Sequence, residues 1–63
     1  MNKKIAIWAI IDYLSAETKK RNAELVKQNL YTEQAKFDVA DMFFKLAFMD
    51  DAAVNEIATK ILR

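Results

Sequence analysis

Hydrophobic residues recur along this chain at helical spacing, and no stretch alternates polar and apolar positions for long enough to propose a strand. Residues 5–14, beginning Ile5-Ala6-Ile7-Trp8-Ala9-Ile10-Ile11, are apolar nearly all round, which implies burial on several sides. Residues 15–24 are polar apart from Ala16 and Ala23. Ala9, Ala16, Ala23 and Leu30 recur every seven residues and make a seam that another helix could approach closely. The spacing predicts a first helix over residues 3–29, about 40 Å long at 1.5 Å per residue. The alternative is a break at Ser15, an acceptable N-cap with Glu17 in the turn that follows.

Asn29 suits a left-handed helix end, the place glycine usually takes. Thr32 then reads as the next N-cap, with Glu33 near the positive end of the helix dipole, and a second helix is predicted over residues 33–49. Within it Phe37, Phe44 and Phe48 form one stripe, and Val39, Phe43 and Leu46, with Ala40 and Ala47, occupy the adjoining arc. The phenylalanines Phe37, Phe43 and Phe44 are expected in the core. Only Asp38, Asp41 and Lys45 make a polar face, so this helix is either central or covered by another subunit. Asp50-Asp51 is a natural start for a third helix over residues 51–62. Val54, Ile57, Ala58 and Ile61 follow i, i+3, i+4, i+7 spacing there, and Lys60 and Arg63 fall in the last turn. Glu17–Arg21, Asp41–Lys45 and Glu56–Lys60 each set an acid four residues before a base, the favourable order on a helix surface.

Composition sharpens this picture. The chain has 63 residues and contains neither glycine nor proline. Nothing forces a helix to break, and nothing supplies the positive φ angles that tight hairpins need. The expected fold is all-α: one domain over residues 1–63, a small bundle of three helices (four if the first breaks at Ser15) or a helical hairpin. A domain this small buries only about 60% of its unfolded surface and is marginal alone. Cysteine and histidine are absent, which removes disulfides and Cys/His zinc sites as supports. The apolar fraction is 54%, more than so short a chain can hide. Completion by self-association, as a homodimer or a larger homo-oligomer, is therefore expected.

Net charge is +1, with an excess of base in residues 1–31 and of acid in residues 32–63. Opposite-signed halves suit antiparallel or head-to-tail contact between copies. The start, Lys3-Lys4 followed by seven apolar residues, imitates a secretory signal. Asp12 ends that stretch, and cleavage near Ser15-Ala16 would leave a short chain with no disulfide. A cytoplasmic protein with no transmembrane segment is expected, since a span needs about 20 apolar residues.

Candidate chemistry is sparse. The commonest acid–base group and the most reactive nucleophile are both missing, and no glycine-rich loop can cradle a phosphate. Asp38 with Asp41, or Asp50 with Asp51, offers too few oxygen ligands for a hard cation. No enzyme activity, cofactor or metal is expected. Trp8, Met42 and Met49 are the candidate contacts with a second subunit or a larger protein. The leading expectation is a small non-enzymatic interaction module, such as an assembly factor, adaptor or inhibitor, working through apolar helix faces. The alternative is a nucleic-acid-binding regulator using the basic cluster Lys19, Lys20, Arg21 and Lys27. Glu17 and Glu24 flank that cluster. A helix-turn-helix reading of the second and third segments meets an acidic start where DNA readers keep neutral or base-contacting groups. A third reading, weaker again, attaches residues 1–14 to a membrane surface.

Overall fold

The computed structural model describes residues 2–62 and is all-helical over them. Helix α1 runs from Lys3 to Lys27, α2 from Val39 to Phe48 and α3 from Asp51 to Leu62, with one 3-10 turn at Tyr31–Glu33. The expected role of Arg63 in the last turn of α3 lies outside the described residues.

Asn2 caps α1, its side-chain Oδ1 accepting from the Lys4 amide at 2.8 Å. The helix passes through Ser15 without a break. Thr18 behaves as a helix-interior residue there, its hydroxyl donating to the Leu14 carbonyl at 2.8 Å. The helix stops where Asn29 turns left-handed at φ 61°. The Leu30 amide then reaches back to the Leu25 carbonyl at 2.8 Å, and the Asn29 amide to Val26 at 3.0 Å. These bonds satisfy carbonyls that a helix end leaves unpaired, with asparagine in the role of glycine.

The second helix differs from its predicted extent. It begins at Val39 rather than Glu33, because Thr32 and Glu33 are spent in the 3-10 turn and residues 34–38 carry no helix. Asn22 of α1 holds this stretch with two hydrogen bonds to Ala35, its Nδ2 donating to the carbonyl and its Oδ1 accepting from the amide, each at 2.8 Å. Asp38 supplies the actual cap, its Oδ1 accepting from the Asp41 amide at 3.0 Å. At the other end Met49 is extended, at φ −78° and ψ 157°. Asp50 follows as the N-cap position of α3, its carbonyl accepting from the Val54 amide at 3.0 Å.

The core joins one face of the first half of α1 to the two shorter helices. Ala6, Ile7, Ile10 and Ile11 are buried against Leu46 of α2 and Val54 and Ala58 of α3. Leu14, Phe37, Met42, Phe43, Met49, Ile57 and Ile61 pack around them, half-buried. No residue of α1 beyond Ile11 is fully buried, so the second half of this helix extends past the core. Phe37 and Phe43 fall beside the core as expected, but Phe44 does not: it is 63% exposed. The reason is rotational. The helix meets α1 and α3 through Met42, Leu46 and Met49, and in an α-helix that arrangement turns residue 44 to the opposite side.

A candidate protein-docking surface on α2

The outer side of α2 carries Ala40, Phe44 and Phe48 at i, i+4, i+8, a single row along the helix. Phe48 is 88% exposed, the most exposed large hydrophobic side chain among the described residues. Beside the row, Trp8 rises from α1 with 42% of its surface open to solvent. Its ring packs on Phe43 at a centroid distance of 5.4 Å, and Phe43 in turn meets Phe44 edge-on at 6.5 Å. Trp8, Val39, Ala40, Phe43 and Phe44 thereby enclose an open groove of about 480 Å³. Ala40 makes the groove possible: a larger side chain at the head of the row would fill it.

Two polar features frame this surface. On one flank of the row, Lys45 Nζ lies 2.9 Å from Asp41 Oδ2. At the C-terminal end of α2, Lys3 Nζ donates to the carbonyls of Ala47 at 2.9 Å and Met49 at 2.7 Å, and pairs with Asp51 at 3.2 Å. Lys3 thus fixes the end of α2 that bears Phe48 against the first turn of α1. The cation also meets the negative end of the α2 dipole.

Of the candidate contact residues, the structure sets Trp8 in the groove wall. Met42 lies on the inward arc of α2 and Met49 just past its end, both half-buried against the core and away from the groove lining. Phe44, Phe48 and Ala40 were not among the candidates. Their signal was the narrow polar arc of the second helix, but that arc alone does not say which apolar side faces outward. Asp38 and Asp41, three apart, carried the true helix start.

The basic residues Lys19, Lys20, Arg21 and Lys27 are all exposed on the second half of α1. Consecutive residues of a helix point about 100° apart, so the first three splay around the helix. Lys20 lies 3.8 Å from Glu17, so Glu17 pairs with Lys20 rather than with the predicted Arg21. The other two predicted pairs are present, Asp41–Lys45 and Glu56–Lys60.

Among the described residues no polar or charged side chain is buried, and no three His, Cys, Asp or Glu side chains gather as a metal cluster would require. No helix of these residues is long and apolar enough to cross a membrane. No protein-family model, curated protein or solved structure matches the chain.

Proposed function

We propose that this chain is a small non-enzymatic protein–protein interaction module, an assembly factor, adaptor or inhibitor that docks through the outer face of α2 together with Trp8. Three helices packed as a small bundle form the platform, and contact with another protein surface completes it. The observation that carries this reading is the row of Phe44 and Phe48, left open to water beside an apolar groove. Large exposed aromatics next to a concave apolar surface are the usual composition of a binding hot spot. Shape supports the same reading. The radius of gyration is 13.6 Å, against about 10.6 Å for a compact domain of this length. The basic cluster has weaker support as a site, because its members diverge around α1 and Glu17 engages Lys20.

The test is site-specific photocrosslinking in the native host. A benzophenone amino acid replacing Phe44 or Phe48 should yield protein adducts, and the same group replacing Lys19 should not. Equal adducts at all three positions, or none at any, would overturn the assignment of this face.

A further inference from the structure

We propose that the α2 face is covered by a second copy of this chain, docked antiparallel about a two-fold axis at Phe44. Phe48 of each copy then enters the groove of the other. This rests on the docking face proposed above and names its occupant.

The row is self-complementary in shape. Ala40 and Phe48 lie equally far from Phe44, one turn to either side. In an antiparallel pair centred on Phe44, residue 48 of one copy therefore faces residue 40 of the other. The most exposed hydrophobic side chain meets the small residue in the groove lining, twice over. Such isologous pairing, in which one patch serves both subunits, is the commonest form of homo-oligomer.

The charges repeat the pattern. Asp41 and Lys45 lie along the same flank of the row, and antiparallel pairing brings like flanks together. With the axis at residue 44, Asp41 of one copy and Lys45 of the other are offset by about 3 Å along the helices. Along the helices the order is then acid, base, base, acid, so each Asp41 faces the Lys45 of the other copy while the two lysines flank the axis. A parallel two-fold pairing would instead set this charged flank against the apolar flank of Val39 and Phe43 and make no ion pair between copies.

A compact monomer of 7.3 kDa exposes about 4,200 Å², whereas this chain exposes 4908 Å². The excess, about 700 Å², is shared between the open α2 face and the half of α1 that extends past the core, against the ~800 Å² that each partner contributes to an interface of standard size.

The chain has no cysteine, so introduced thiols report the register directly. A disulfide needs Cα atoms within about 7 Å. A mixture of Ala40→Cys and Phe48→Cys chains should form the mixed disulfide about tenfold faster than Phe48→Cys forms one with itself, since two residues 48 lie about 12 Å apart along the axis. Light scattering should show dimers of the native chain at about 100 μM, a range that reads micromolar affinities. Asp41→Lys and Lys45→Asp chains should each be folded by circular dichroism and monomeric, and mixing them should restore a dimer. A dimer that forms all these disulfides at equal rates, or that ignores the charge reversals, overturns the two-fold arrangement. A native monomer at that concentration overturns the second copy as occupant. Photocrosslinks from position 44 to a different protein would then leave the docking face itself standing.

Discussion

The ammonium of Lys3 lies 2.7 Å from the carbonyl oxygen of Met49, forty-six residues away in sequence. The same group donates to Ala47 and pairs with Asp51, so one side chain at the start of α1 closes the junction between α2 and α3. Terminal helix carbonyls have no partner within their own helix, and a cation there gains both hydrogen bonds and a favourable dipole. The side chain is only 27% exposed, which leaves these bonds partly shielded. Lys3→Met should cost about 1 kcal/mol of unfolding free energy in urea titrations. Asp51→Asn removes the exposed ion pair together with the carboxylate at the positive end of α3, and should cost about 0.5 kcal/mol. Equal losses would mean that the ion pair, rather than the carbonyl contacts, provides the attachment.

Asn22 predicts a second, local effect. Its amide group makes both hydrogen bonds to the backbone of Ala35 and is the tie between α1 and the stretch before α2. Asn22→Ala should lower stability by about 1 kcal/mol and speed hydrogen exchange at the Ala35 amide. Asn22→Asp keeps the acceptor for that amide, so protection at Ala35 should survive while the donor to its carbonyl is lost. Unchanged exchange in the alanine variant would show that the stretch is held by other contacts.

The left-handed residue gives a prediction of opposite signs. Asn29 sits at φ 61°, where a Cβ is costly and only Asn, Asp and Gly are at ease. Asn29→Ala should destabilise by about 1 kcal/mol, and Asn29→Gly should be neutral or slightly stabilising. Thermal unfolding of the three chains side by side checks the order. An alanine variant as stable as the glycine variant would contradict the helix ending described here.

Ile10 and Val54 are the largest fully buried side chains among the described residues, and they join α1 to α3. Ile10→Ala should cost about 2–5 kcal/mol, the range for a large buried aliphatic cut to alanine. A domain of this size has little stability to spare, so that variant is expected to be largely unfolded at room temperature by circular dichroism. Ile10→Val should cost about 1 kcal/mol and stay folded. Phe48→Ala, on the open face, should leave secondary structure intact.

Much of the fold was legible residue by residue. Helical periodicity located all three helices, but only the link between α2 and α3 is short; residues 28–38 separate α1 from α2 despite the absence of glycine and proline. Asn29 was readable as a left-handed stop because few other residues tolerate that conformation. The continuity of α1 through Ser15 was legible as the simpler of two readings. The candidate site was legible only in part. Trp8 stood out because it is a large aromatic in a stretch apolar on every side. Met42 and Met49 were expected at a contact surface, yet the structure places them half-buried beside the core.

What the sequence determined by itself was the class of structure, since period, caps and i, i+4 charge pairs are local and act within a turn or two of chain. Local pattern offered two caps for α2, Thr32 and Asp38, and tertiary structure decided between them and set which way the helix faces. Its start depends on Asn22 gripping Ala35 across thirteen residues, a contact that no local pattern announces. Its orientation could not be read from a helix apolar over most of its circumference, because several rotations bury comparable area. Packing of Met42, Leu46 and Met49 selected one rotation, and that choice left Phe44 and Phe48 in water.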